Sequence, residues 1–139
     1  MRNIKYLAIH CTATPQTTKV KSIINYWKNT LCWKNPGYHF IIKPSGEIVE
    51  LLPIDKVSNG VKGFNSVSIN ISYIGGVDKD NNTTDNRTGA QKQSLIKLIK
   101  KYKQLYPNII IQGHRDFPNV KKDCPSFDVK KWLEDVCLC

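Results

Sequence analysis

The sequence has no apolar run long enough to cross a membrane, and no two of its five cysteines have CxxC spacing. A spanning helix needs about 20 apolar residues, so no membrane span is expected. The apolar run near the N-terminus is also too short for a signal peptide, which predicts synthesis in a reducing cytosol, where disulfides are rare. We therefore expect four cysteines to be small buried side chains: Cys11, Cys32, Cys137 and Cys139.

Acidic residues are scarce, with 11 Asp and Glu against 21 Lys and Arg, and the net charge is +10. Such an excess attracts polyanions, which include nucleic acids, anionic lipids and the acidic polymers of bacterial envelopes. A lysine-rich surface that only keeps the protein soluble is an equally good interpretation. Specific nucleic-acid binding is not expected, because the sequence has no RNP, helix-turn-helix or zinc-finger signature.

No internal repeat or linker divides the sequence, so we predict a single domain over residues 1–139. Hydrophobic periodicity predicts five strands and three helices. The strands are predicted at 4–9, 38–43, 47–52, 68–73 and 109–111, and the helices at about 17–29, 88–106 and 128–136. This order predicts an α/β fold with a mixed central sheet packed by about three helices.

Local signals add detail to these elements. Thr17 and Thr18 are candidate N-caps of the first helix, and Thr88 has capping-box spacing at the start of the second. Leu105 continues the apolar stripe of the second helix, so we expect it to be buried. The strand at 68–73 alternates polar and apolar residues, which predicts burial of one face only.

Two histidines follow predicted buried strands, His10 after 4–9 and His114 after 109–111. Sites in open α/β sheets collect at the carboxyl ends of strands, so adjacent parallel strands would bring these imidazoles together. Cys124 adds a thiol ten residues after His114. Two histidines and one cysteine suit zinc and leave one tetrahedral position for water, which is typical of a catalytic site.

The spacing alone leaves other interpretations open. A lone histidine at a strand end is usually a satisfied polar residue, and His39, Asp116 and Asp123 are alternative third ligands. Tyr38 and His39 are neighbours on a predicted strand, so their side chains point to opposite faces. Only one of these two side chains can easily enter the same site.

Five ordered segments carry a family resemblance. They are IHCTAT at 9–14, GYHFII at 37–42, VKGFNS at 61–66, GHRD at 113–116 and KDCP at 122–125. Together they resemble the type-2 N-acetylmuramoyl-L-alanine amidases, which include bacteriophage lysozyme-type endolysins and share their fold with peptidoglycan recognition proteins. The resemblance extends from about residue 4 to residue 134, and it implies a domain of that fold.

The resemblance also implies a site and a reaction. Zn²⁺ would be held by His10, His114 and Cys124, with Tyr38 and Lys122 as the catalytic side chains. The reaction would be hydrolysis of the amide bond between N-acetylmuramic acid and L-alanine in bacterial peptidoglycan. Within the third segment, the candidate substrate-binding residues are Lys62, Phe64 and Asn65.

Two positions depart from the family pattern. Many relatives carry a histidine where this chain has Gly60, and Asn70 replaces a common glycine in the following strand. The first change affects a substrate-side polar contact, and neither changes a proposed ligand. The alternative function is a non-catalytic peptidoglycan-binding or regulatory module, but Cys124 favours an enzyme because inactive recognition proteins typically lack this thiol. We expect a monomeric, endolysin-like enzyme of phage or prophage type that acts on the cell wall.

Overall fold

A computed structural model describes residues 2–138. Over this range the chain forms five strands and three α-helices. The strands are β1 (Tyr6–Cys11), β2 (Phe40–Ile42), β3 (Ile48–Glu50), β4 (Ser68–Tyr73) and β5 (Ile110–Gly113), and the helices are α1 (Val20–Asn25), α2 (Gly89–Leu105) and α3 (Val129–Asp135). The predicted α/β fold, with a mixed sheet and three helices, is confirmed.

The sheet has the order β3-β2-β4-β1-β5. β1 is parallel to both β4 and β5, and β4 is parallel to β2. β2 and β3 form the antiparallel hairpin at the other edge, joined by a turn in which Gly46 has a φ of +91°. Parallel pairing aligns the carboxyl ends of β1, β4 and β5 along one edge of the sheet.

β4 is buried on both faces, contrary to the prediction of one buried face. Its apolar side chains join the main core with β1 and with α2 and α3. Its polar side chains are covered by the segment that precedes the strand, where Ser68 Oγ donates to Phe64 O and Asn70 Nδ2 donates to Ser58 Oγ. The alternating sequence of β4 therefore gives the strand one apolar face and one polar face, and both faces are buried.

The helix ends differ in part from the predictions. The helix α1 begins after Lys19 without a side-chain cap and continues as a π-helical turn over Tyr26–Thr30. Thr17 and Thr18 were wrong as caps, because Thr18 N–H donates to Pro15 O in a preceding turn. The capping box of α2 is confirmed, with the Thr88 side chain accepting from the backbone N–H of Gln91.

Four residues that were predicted to be buried are exposed: Leu105, Ile110, Cys32 and Cys137. Leu105 is 59% exposed, because Tyr106, one position later, packs against the core at the end of α2. Ile110 is 49% exposed because β5 is an edge strand. Cys11 is buried as expected, but Cys32 and Cys137 lie in exposed segments after α1 and α3. Cys139 lies outside the described residues.

No helix within residues 2–138 combines the length and apolarity needed to cross a bilayer.

Candidate metal centre

His10 reaches the site through the alternation of β1. Leu7, Ile9 and Cys11 face the main core, so His10 projects from the other face of the sheet, near the carboxyl end of the strand. There it is only 1% exposed. The burial of a polar imidazole in a central strand requires hydrogen-bonding or metal-binding partners.

His114 is the first residue after β5, in a single 3₁₀ turn. The parallel register pairs Ile9 with Gly113, which places the two histidines side by side at the same sheet edge. Their ring centroids lie 4.8 Å apart. The predicted convergence of the two imidazoles on adjacent parallel strands is therefore present in the structure.

Cys124 lies in the loop before α3, and three hydrogen bonds attach this loop to the ends of the central strands. Arg115 N–H donates to Cys124 O at 2.9 Å, and Cys11 N–H donates to Cys124 Sγ at 3.2 Å. One residue later, Tyr73 OH donates to Pro125 O at 2.6 Å. The loop is thus connected to the ends of β1, β4 and β5, so the thiol is held beside the two histidines.

The three candidate ligand atoms lie within 4.8 Å of one another, and Cys124 Sγ is 3.9 Å from His10 Nδ1. With Zn–N near 2.0–2.1 Å and Zn–S near 2.3 Å, tetrahedral ligand atoms lie roughly 3.5 Å apart. Small side-chain movements would therefore bring the cluster to zinc geometry. The donor set of two imidazoles and a thiol fits this ion.

The alternative third ligands make other contacts. Asp116 Oδ2 accepts from Gly113 N–H at 2.8 Å, and Asp123 Oδ2 accepts from Thr83 Oγ1 at 2.8 Å. His39 Nδ1 accepts from Asn70 N–H at 3.0 Å. Each of these side chains has a structural partner outside the cluster formed by the two other histidines and Cys124.

The protonation states in the metal-free site suit metal binding. Burial and the neighbouring His114 lower the pKa of His10 to about 3. Burial and the charge of Lys122 lower the pKa of His114 to about 4. Both imidazoles are therefore neutral near pH 7, with a lone pair available. Contact with the Cys11 thiol and burial raise the pKa of Cys124, but coordination to zinc would ionise the thiol.

Tyr38 and Lys122 lie beside this cluster. The Tyr38 ring is 5.1 Å from the His10 ring and packs edge-on against Trp27, while its hydroxyl donates to Cys11 O at 3.2 Å. Burial and the nearby Cys124 raise the pKa of Tyr38 far above its usual value, so the phenol keeps its proton. Lys122 is exposed at the mouth of the site.

Two open grooves of about 700 Å³ each meet at Lys122 and Trp33. The first, which we call the α1 groove, is lined by residues that include Thr12, Thr14, Ser22, Tyr26, Trp27 and Tyr38. The second, the lysine groove, is lined by residues that include Gly60, Lys62, Phe64, His114, Val120 and Lys121. Together they form a surface channel, and His114 of the cluster lies on its wall.

The three candidate substrate-binding residues occupy different environments. Lys62 and Phe64 line the lysine groove. Asn65 instead accepts from Val61 N–H through Oδ1 at 2.7 Å, which closes the turn that carries the other two. The structure therefore brings Lys62 and Phe64, but not the Asn65 side chain, toward the site.

Sequence reasoning missed two contributors to the site. Asn70 Oδ1 lies 2.8 Å from His10 Nε2, on the side of the ring opposite the thiol. Trp33 lines both grooves although it lies in an irregular segment after α1. The available signal for Asn70 was an amide within a strand of otherwise buried residues, and Trp33 had no periodic signal.

Solved structures with the same fold cover nearly the whole chain. The endolysin of the Thermus scotoductus bacteriophage Ph2119 superposes with a TM-score of 0.81 at 22% identity, over 97% of this chain and 85% of the other. The amidase LysC of Clostridium intestinale superposes with a TM-score of 0.81 at 21% identity, over 99% of this chain and 88% of the other. The recognition protein PGRP-SA of Apis mellifera superposes with a TM-score of 0.80 at 22% identity, over 97% of this chain and 84% of the other. An endolysin, an amidase and a recognition protein thus share the fold of this chain.

Sequence comparison identifies the family of the chain. The endolysin of Klebsiella phage KP32 is 38% identical over 127 residues, which cover 91% of this chain and 83% of the relative. The endolysin of Escherichia phage T7 is 35% identical over 127 residues, which again cover 91% of this chain and 83% of the relative. Residues 1–127 match the profile of N-acetylmuramoyl-L-alanine amidases, and the chain belongs to that family.

Proposed function

We propose that the protein is a zinc-dependent N-acetylmuramoyl-L-alanine amidase that cleaves the bond between N-acetylmuramic acid and L-alanine in peptidoglycan. The observation that carries this proposal is the convergence of three ligand atoms from His10, His114 and Cys124 within 4.8 Å. Family membership supports the reaction class. The two grooves, which meet at Lys122 and Trp33, would admit a polymer from either side.

Zinc at this position would supply a polarised carbonyl and an activated water near neutral pH. The residues of the chain provide the environment for that chemistry. The neutral imidazoles of His10 and His114 present lone pairs without a proton having to leave first. Cys124, ionised by coordination, would offset one of the two positive charges of the ion.

Tyr38 and Lys122 are proposed as the catalytic side chains. Because its phenol remains protonated, Tyr38 would act as a hydrogen-bond donor to the carbonyl oxygen as negative charge develops, rather than as a base. Lys122 lies at the junction of the grooves, where its ammonium group would stabilise the same charge. For this role the Tyr38 hydroxyl would turn its single proton from Cys11 O to the substrate oxygen.

The lysine groove is proposed to bind part of the substrate through Lys62 and Phe64. Lysines on its rim suit the carboxylates of a stem peptide, and the net charge of +10 suits an anionic envelope. We propose that Asn65 contributes indirectly by holding the turn that carries both residues. The protein would then act as an endolysin-like monomer, with residues 1–139 as one catalytic domain.

Digestion of purified peptidoglycan, with products identified by mass spectrometry, tests this proposal. We expect free stem peptides that begin with L-alanine, lost after chelation and restored by zinc. Cys124→Ser should abolish both zinc binding and cleavage, whereas Cys137→Ser, at an exposed free thiol, should change neither.

Two other results would contradict the proposed function. Intact sacculi with bound protein would indicate a non-catalytic recognition module. Cleaved glycan strands that retain their stem peptides would indicate a different reaction.

A further inference from the structure

The two departures from the family pattern, Gly60 and Asn70, meet beside one of the proposed ligands. Asn70 lies on β4, next to β1, and its Oδ1 is 2.8 Å from Nε2 of His10. Both side chains are fully buried, at 0% and 1% exposure. A buried hydrogen bond of this kind determines which nitrogen of the imidazole carries the proton.

The surrounding hydrogen bonds orient the amide of Asn70. Its Nδ2 donates to Ser58 Oγ at 2.7 Å, and its backbone N–H donates to His39 Nδ1 at 3.0 Å. His39 Nδ1 is therefore an acceptor, so His39 Nε2–H donates to Lys56 O at 2.8 Å. Ser58 Oγ lies 3.2 Å from His39 Nδ1, and its proton can share the single lone pair of that nitrogen with the Asn70 N–H in a three-centre bond. In this arrangement Oδ1 of Asn70 accepts from His10 Nε2–H.

Gly60 provides the space for this amide. A Cβ atom at position 60 would lie 2.3 Å from both Cγ and Oδ1 of Asn70, which is closer than any side chain tolerates. The backbone of Gly60 is outside the left-handed region, so an alanine there would meet no conformational penalty of its own. The absence of a side chain at this position is therefore required by the amide and not by the turn.

We propose that Asn70 is a positioning residue for the metal centre. It holds His10 as the Nε2–H tautomer, with the Nδ1 lone pair directed toward Cys124. Gly60 leaves room for the Asn70 amide because it has no side chain. This inference rests on the proposed zinc site. Without the amide, His10 would bury an unpaired N–H, and the Nδ1–H tautomer, which cannot bind metal through that nitrogen, would become accessible.

Two measurements test the role of Asn70. The tautomer of His10 is read from long-range ¹H–¹⁵N spectra of the zinc-free protein, and zinc affinity is read by chelator competition. We expect Nε2–H in the wild type. In Asn70→Leu we expect loss of that single tautomer and zinc binding weakened by about 10- to 100-fold. Asn70→Asp, which keeps an acceptor, should restore the tautomer and most of the affinity.

The matched control is Ser68→Ala on the same buried face of β4. Ser68 bonds to Phe64 O and does not contact His10. This variant should lower stability without changing the tautomer or the zinc affinity, so it separates a structural defect from a positioning defect.

The role of Gly60 is tested by a pair of variants that also distinguishes packing from positioning. Gly60→Ala should lower both stability and zinc affinity by displacing the amide. Gly60→Ala combined with Asn70→Gly should recover the part of the stability that the clash removed, but not zinc affinity, because the acceptor for His10 is still absent.

An Nδ1–H tautomer in the wild-type protein, or unchanged zinc affinity in Asn70→Leu, would overturn the inference. If Asn70→Leu does not fold, the double variant and the wild-type spectrum still decide it. Failure of the wild type to bind zinc would instead refute the proposed function. The wild-type spectrum would still report whether Asn70 fixes the tautomer.

Discussion

The backbone N–H of Cys11 donates to Cys124 Sγ at 3.2 Å, although 113 positions separate the two residues. The carbonyl of Cys11 accepts from the Tyr38 hydroxyl at 3.2 Å. The last residue of β1 therefore holds a proposed ligand with its amide and a proposed catalytic phenol with its carbonyl. Because both contacts use the backbone of a central strand, the site is organised before substrate or metal binds.

Removal of the Tyr38 hydroxyl tests its role as a donor. We expect Tyr38→Phe to lower kcat by about 100-fold or more, the usual cost of losing one oxyanion donor, with zinc content unchanged. Tyr26→Phe is the matched control, because Tyr26 lines the same α1 groove but is 53% exposed. Steady-state kinetics on a soluble muropeptide measures both variants. Equal activity of Tyr38→Phe and wild type would exclude this role.

The stability of the metal-free protein should fall in mild acid. Burial, the main cause in each case, lowers the pKa of His10 to about 3 and those of His39 and His114 to about 4. In the unfolded chain these groups have pKa values of about 6.5. Below about pH 6.5 the unfolded chain therefore binds protons that the folded chain does not, so stability is complete above that pH and declines as the pH falls toward 4.

Urea unfolding of the zinc-free protein at about pH 7 and pH 5 measures this effect, since most carboxylates stay ionised over that range. Each histidine should contribute a loss of about 1–2 kcal/mol. The same unfolding midpoint at both pH values would show that the histidines are protonated in the folded state.

The fold could be predicted from the sequence because its central strands appear there as apolar runs and its helices as periodic apolar positions. The burial of side chains at the end of α2 could not be predicted in this way. Leu105 and Tyr106 both continue the apolar stripe, and only the packing of the helix determines that Tyr106 is the one that contacts the core. The exposure of Ile110 likewise depends on strand order, since β5 has β1 as its one neighbour. Periodicity describes an element by itself and carries no information about which elements lie beside it.

The candidate site was predictable to a similar degree. The positions of His10 and His114 after apolar strands predicted their convergence, but the residues alone did not choose Cys124 over Asp116 or Asp123. That choice depends on hydrogen bonds that engage the two carboxylates elsewhere. The contact between His10 and Asn70 depends on the pairing of β1 with β4, which no local pattern specifies.

Lys62 and Asn65 should respond differently to alanine substitution. Lys62 lines the lysine groove, so Lys62→Ala should raise KM several-fold while the unfolding midpoint stays unchanged. Asn65 accepts from the buried Val61 N–H, so Asn65→Ala should cost about 1–3 kcal/mol of stability. Kinetics and urea unfolding of both variants make the comparison. A stable Asn65→Ala variant with a raised KM would instead place Asn65 in contact with substrate.

Substitution of Gly113 tests whether the loop that carries Cys124 depends on its close approach to β5. A Cβ atom at this position would lie 2.8 Å from Cδ of Pro125, the residue that follows Cys124. Gly113→Ala should therefore displace the loop, lower stability by about 1–3 kcal/mol and weaken zinc binding. Gly89→Ala is the control, because no atom lies within 4 Å of its added Cβ and alanine favours the first turn of α2. Thermal unfolding and chelator competition measure both variants, and full zinc affinity in Gly113→Ala would show that the loop can shift without moving the thiol.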